Sequence, residues 1–145
     1  LAGAATQRAL YETLRADAIL TDLLGGMKVF DYVPEETQAP FVVLGDDTDA
    51  EVISIQFTDL QDAAHEQSVT LHAWTESRRG RLGVKDILSR FHDVLIEQPF
   101  LVTGFQVIEM AFLGAQVLRE EDGLTYHGVF RCRCVTAPTG GGFYG

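Results

Sequence analysis

Residues 65–98, HEQSVTLHAWTESRRGRLGVKDILSRFHDVLIEQ, decide the fold because their hydrophobic period changes from two to about 3.6. In residues 67–75 apolar and polar side chains alternate, which predicts a strand with one face on a core. From residue 81 onward apolar residues recur at steps of three and four between charged ones, which predicts an amphipathic helix. Because only residues 76–80 join them, the two elements belong in adjacent layers, with the apolar stripe of the helix on the sheet.

The residues before this pair predict two helices followed by two short strands. Residues 6–16 carry a narrow apolar stripe, and Asp17 is a suitable N-cap for a second, shorter helix that ends at Gly25. Two apolar runs bounded by proline and acidic residues then predict strands at 27–33 and 41–45.

The residues after the central helix predict an extended antiparallel hairpin. Residues 105–118 form an almost continuous apolar run, 119–123 supply a polar turn that ends in glycine, and 124–136 return as a second strand. We expect the core face of the return strand to carry Tyr126, Phe130, Cys132 and Cys134. The predicted fold class is α+β: a mostly antiparallel sheet that includes this long C-terminal hairpin, with an N-terminal helix and one long central amphipathic helix packed on it.

Composition indicates one globular domain. The chain has 145 residues, of which 46% are hydrophobic and 22% charged, and we place a single α+β domain at residues 1–136 and a flexible glycine-rich tail at 137–145. No apolar run is long enough to cross a membrane and no signal peptide is apparent, so we expect the protein to be made and kept in a cytoplasm. Its two cysteines are expected as buried free thiols in a reducing compartment.

The net charge of −10 is distributed unevenly. Residues 1–30 hold three acids and three bases, residues 31–77 hold eleven acids and no base, and residues 78–145 hold seven acids and eight bases. This separation argues against general nucleic-acid binding, which needs a basic field, and favours faces that meet complementary partners. The alternative is an acidic solvated loop that aids solubility. Residues 46–64 show no clear period, and we expect a long, partly ordered excursion that docks on something, for example another subunit.

The candidate functional residues form an assembly interface. Arg131 and Arg133 share the outer face of the return strand, where they either make surface ion pairs or meet acids of a neighbouring copy in a head-to-tail ring. The two aromatic residues of the tail are either mobile with the glycines or anchors for a partner groove. The candidate interface residues are Arg131, Arg133, Asp46, Asp47, Asp49, Phe143 and Tyr144.

The sequence offers no catalytic, cofactor-binding or metal-binding residues that we would assign. No histidine is paired with a cysteine or carboxylate at a recognised metal spacing, and no serine lies in a nucleophile elbow. The acidic run 46–51 lacks the glycine and terminal glutamate of an EF-hand, so at most an interface-bridging ion would bind there. We therefore do not expect an enzyme, and we expect no cofactor.

The order of several segments resembles a known family. These segments are LLGG followed by VFDYVP, then APFVVLGDDT, then HEQSVTLHAWTESRRG running into GVKDIL, and finally DGLTYHGVFRCR. Together they resemble the phage tail terminator or tail-completion family, whose members also occur in gene transfer agents, over roughly residues 9–136. The most specific pieces are HAWT at 72–75 with VKDIL at 84–88, and the DGL-x-x-HG-x-x-R pattern at 122–131.

The resemblance implies a structural virion protein without catalytic residues. It implies a homo-oligomer, a hexameric ring that caps the tail tube at its head-proximal end and joins it to the head connector. The implied partners are the tail-tube protein and the head connector, and DNA would pass through the lumen without specific binding. The rival interpretations are a head–tail connector or tail-tube subunit and, more distantly, a small-ligand-binding or enzymatic domain.

Overall fold

The computed structural model describes residues 2–44, 52–55, 64–76 and 80–139. In chain order, the described residues form three helices and six strands. These are α1 (Ala2–Ala16), α2 (Ala18–Leu24), β1 (Val29–Phe30), β2 (Phe41–Val43), β3 (Val52–Ile55), β4 (Ala64–Glu76), α3 (Gly80–Leu95), β5 (Phe105–Arg119) and β6 (Thr125–Pro138).

The strands of the described residues belong to one mostly antiparallel sheet. Its order is β1-β2-β4-β6-β5, and β3 pairs with the first residues of β4 beside β2. Only β1 and β2 run parallel. The predicted α+β class and the C-terminal hairpin are therefore confirmed, and β5 forms one edge of the sheet.

The helices cover one face of the sheet. On β4 the side chains of Val69, Leu71 and Ala73 are buried together with Phe130 of β6 and the apolar stripe of α3, as the change of period predicted. Helix and sheet approach closely at Gly128, where a Cβ atom would lie 2.6 Å from Cγ2 of Val84. The absence of a side chain there lets α3 pack directly on the backbone of β6.

A capping residue joins two of the helices. The carboxylate of Asp17 accepts a hydrogen bond from the backbone N–H of Leu20 at 2.9 Å, so it caps α2 as predicted, and Gly25 ends that helix with a φ of 74°. Arg90 of α3 donates two hydrogen bonds to the same carboxylate, at 2.8 and 2.7 Å. Because Arg90 binds it, the pKa of Asp17 is lowered.

Two irregularities shape β5. Ile108 and Leu113 are extra residues that have no opposite residue on β6, so the register steps by one at each of them. Before Ile108 the odd-numbered side chains face the helices, between the two extra residues the even-numbered ones do, and after Leu113 the odd-numbered ones do so again. The side chains on the helix side are consequently Val107, then Met110 and Phe112, then Ala115 and Val117. None of the residues of β5 is fully buried.

Several element boundaries differ from the sequence-based predictions. The first helix begins at Ala2 rather than at residue 6, and the strand predicted at 27–33 is reduced to Val29–Phe30, since only these two residues pair with β2. Within the excursion predicted at 46–64, Val52–Ile55 form a strand, and the other residues before Ala64 lie outside the described part. None of the helices in the described ranges is both long and apolar enough to cross a membrane.

Candidate assembly interface

The face of the sheet away from the helices contains the two predicted arginines. Residues opposite each other on neighbouring strands form rows across this outer face, because paired residues of antiparallel strands point to the same side. Arg133 and Arg131 occupy successive rows on β6, while Phe130, Cys132 and Cys134 point to the core, as predicted.

Arg133 is held by carboxylates of its own chain. Its Nη2 and Nε atoms donate to Oε1 of Glu109 on β5 at 2.7 and 3.2 Å, and Nε lies 3.5 Å from Oε1 of Glu66 on β4. The hydrogen bond with Glu109 raises the pKa of the guanidinium. Of the alternatives considered for this arginine, the surface ion pair is therefore present, and its charge is balanced across three strands.

Arg131 has different surroundings. Its row contains Thr70 on β4 and Gly114 on β5, neither of which carries charge, and its side chain is exposed. Within the described ranges Arg131 makes no ion pair. Its positive charge thus remains available to a partner, and its role in an interface stays a prediction.

An aromatic row crosses the same face towards the tip of the hairpin. Phe41 on β2, Trp74 on β4, His127 on β6 and Leu118 on β5 are opposite one another in register. The rings of Trp74 and His127 stack with their centroids 3.9 Å apart and their planes 5° apart. These side chains make the tip half of the outer face apolar, whereas the half with Arg133 is ionic.

His127 also contacts a second histidine. Its Nε2 lies 2.8 Å from Nδ1 of His72 on β4, and its Nδ1 lies 3.5 Å from Oε1 of Glu120. Burial, and then the neighbouring His72, lower the pKa of His127, although Glu120 acts in the opposite direction. Sequence analysis missed this contact because the two histidines are far apart along the chain, and only the strand register brings them together.

The edge strand β5 presents apolar side chains that sequence analysis did not single out. Ile108 is 49% exposed, Phe112 42% and Leu113 55%. Between β5 and α3 lies a groove of about 570 Å³, lined by apolar side chains with Lys85, Ser89 and His92 of the helix beside them. We call this cavity the α3–β5 groove; its apolar lining includes Leu88, Phe112, Val117 and Phe130.

The remaining predicted interface residues fall where the structure gives no description. Asp46, Asp47, Asp49, Phe143 and Tyr144 all lie outside the described residues, so their part in an interface stays a prediction. Among the residues that are described, no three or more His, Cys, Asp or Glu side chains are grouped in a way that would hold a metal ion. Both cysteines are free and buried, and burial raises the pKa of Cys132 to about 12 and that of Cys134 to about 11.

Comparison with known proteins agrees with this fold. The family model described as tail completion protein gp17 matches residues 8–137. The tail completion protein gp17 of Bacillus phage SPP1 is 27% identical over 133 residues, which are 92% of this chain and 92% of that protein.

Two solved structures are also similar. A chain in the virion of a native gene transfer agent particle is 25% identical with a TM-score of 0.75, and the match covers 94% of this chain and 98% of that one. The structure of the bacteriophage SPP1 gp17 protein is 23% identical with a TM-score of 0.58 and covers 92% and 89% of the two chains, which supports the fold alone.

Proposed function

This chain belongs to the tail completion protein gp17 family, and on that premise we propose that it forms a ring that ends the tail tube and joins it to the head connector. The family is one of structural phage tail proteins, so the chain is a structural component of a virion tail. In the proposal the ring is hexameric, lies at the head-proximal end of the tail and lets DNA pass without gripping it. Its partners are the tail-tube protein on one side and the head connector on the other.

The observation that carries the proposal is the exposed edge of the sheet. β5 is a 15-residue strand in which no residue is fully buried, and its outward edge has no strand partner among the described residues. A long apolar edge of this kind promotes association unless a partner covers it. A closed ring covers every copy of such an edge, because each subunit presents one surface to the next subunit and a different surface to the previous one.

The outer face agrees with a position beside passing DNA. Arg133 is neutralised by Glu109 and Glu66, so this row of the sheet offers little net attraction to phosphate groups. A protein with a net charge of −10 also repels DNA at long range. A channel wall with these properties would not retain the genome during its passage.

The test is to delete the gene and measure tail lengths by electron microscopy. If the protein ends the tube and joins it to the head, the deletion produces overlong tails or tails without heads. Normal tails joined to heads would refute the proposal. Quantifying the protein in purified particles separates the rivals, because a terminator contributes one ring per particle and a tube subunit contributes many.

A further inference from the structure

Exposed apolar side chains lie at both edges of the sheet. At one edge are the apolar residues of β5, and at the other are Met27 and Tyr32, which flank β1 in sequence and are 55% and 82% exposed. Because β2, β4 and β6 lie between β1 and β5, about 19 Å of sheet separates the two edges. Two different patches on opposite edges do not meet within one chain. They can meet when one copy packs beside the next.

The α3–β5 groove is a suitable receptor for an aromatic side chain. Phe112 and Phe130 form part of its wall, with their ring centroids 5.1 Å apart, and Phe112 remains 42% exposed. The groove is open and about 570 Å³ in volume, which is within the range of pockets that hold a bulky group. Its lining includes Lys85 and His92 but no Asp or Glu.

The loop around Tyr32 has the complementary chemistry. Its side chain is the most exposed of the large apolar side chains in the described residues. Asp31, Glu35 and Glu36 are exposed beside it, so the loop is acidic where the groove is lined by Lys85. Tyrosine is also among the residues that most often dominate protein interfaces, because its ring is apolar and its hydroxyl can bind a polar rim.

We infer that Tyr32 of one copy inserts into the α3–β5 groove of the next copy. This inference rests on the proposed ring and goes beyond it by naming the two surfaces that meet. The tyrosine ring contacts Phe112, whose own ring packs on the buried Phe130, and the acidic residues of its loop face Lys85. Repeated around the ring, the contact covers the exposed side chain of Phe112 on every subunit.

Disulfide cross-linking between copies tests the inference. Particles are prepared from a genome whose gene carries both Tyr32→Cys and Ser89→Cys; Ser89 is exposed beside the groove and differs from cysteine by a single atom. A ladder of covalent multimers can form only from bonds between neighbouring copies, so it reports this contact and not a bond within one chain. The native Cys132 and Cys134 do not interfere, because they are buried and their raised pKa values keep them protonated.

The expected result is a ladder of covalent multimers after mild oxidation. The matched control pairs Tyr32→Cys with Thr103→Cys, an exposed position in the turn before β5, and should give no ladder. If particles with tails of normal length give no ladder from the first pair, this contact is wrong and the ring proposal survives. If the natural chain is absent from purified tails, both fail; absence of the Tyr32→Cys chains alone is the result that the inference expects for chains without the tyrosine ring.

A second measurement uses variants without cysteine. Tyr32→Phe keeps the ring and should be incorporated into particles like the natural chain. Tyr32→Ser removes the ring. Because the loss of an interface hot spot of this kind weakens association about 30-fold, incorporation should fall steeply at limiting expression. Equal incorporation of the serine and phenylalanine variants would overturn the inference.

Discussion

Replacing Gly128 with alanine tests the close approach of helix α3 and strand β6. The added Cβ atom would lie 2.6 Å from Cγ2 of Val84, which is 0.8 Å short of the 3.4 Å at which ordinary contact begins, and 3.1 Å from both Cδ atoms of Leu88. Val84 is fully buried on a helix and β-branched, so it has little freedom to move aside. Either α3 lifts from β6 or the surrounding side chains leave their preferred rotamers.

Overpacking of this kind costs about 1–3 kcal/mol in the free energy of unfolding. For a domain of this size, that cost lowers the melting temperature by about 2–12 °C. Urea unfolding and thermal melting followed by circular dichroism measure both quantities. The denaturant slope should not change, because the surface exposed on unfolding is nearly the same.

A second substitution shows whether the clash with Val84 causes the loss of stability in Gly128→Ala. Val84→Ala alone leaves a cavity and costs about 2 kcal/mol, but it also clears the space that the new methyl group needs. The double variant should therefore be about as stable as Val84→Ala alone, so the loss at Gly128 largely disappears in that background. If the double variant lost the sum of the two single losses in free energy of unfolding, the reasoning would be refuted. It would also be refuted if Gly128→Ala were as stable as the natural chain.

Four further predictions concern charged groups. Asp17→Ala removes the α2 cap and a half-buried ion pair, so we expect a loss of about 2 kcal/mol in urea unfolding, against a few tenths for the exposed Asp22→Ala. The lowered pKa of His127 means that the folded state resists protonation, so the melting temperature should fall as pH drops below 6.5; an unchanged slope in His127→Gln would contradict this. Arg131→Glu should block ring closure, seen by electron microscopy, while the monomer stays folded; normal rings would exclude Arg131 from the interface. Arg133→Glu should also destabilise the monomer, because it places a negative charge beside two carboxylates.

The local signals of the sequence predicted much of the fold. The alternation at Val69, Leu71 and Ala73 and the 3.6-residue period after residue 81 place the helix on the sheet correctly, because both patterns report which side chains are buried. Asp17 and Gly25 mark the ends of α2 because the geometry of a helix terminus depends on a few neighbouring residues. The turn after β5 was found for the same reason.

What could not be predicted depends on register between distant strands. Residues 105–118 seemed continuously apolar because the two extra residues of β5 reverse its alternation twice, and no local pattern shows where such irregularities fall. Of the candidate site, the position of Arg131 and Arg133 on the outer face was predictable from alternation. The pairing of Arg133 with Glu109 and the stack of Trp74 on His127 were not, because they require β4, β5 and β6 in their final alignment.

The two irregularities in β5 also determine which deletions the hairpin can accept. Each reverses the strand once, so the two cancel, and the residues before Ile108 and after Leu113 are in the same phase. Because Leu113 has no partner on β6, deleting it alone would join Phe112 directly to Gly114 and leave every pair of the register unchanged, so Val117 would still face the helices. Deleting a paired residue such as Gln116 would instead turn the rest of the strand over and direct Leu118 into the helix layer. Loss of single residues from this strand should therefore be tolerated at positions 108 and 113 and not at the paired positions.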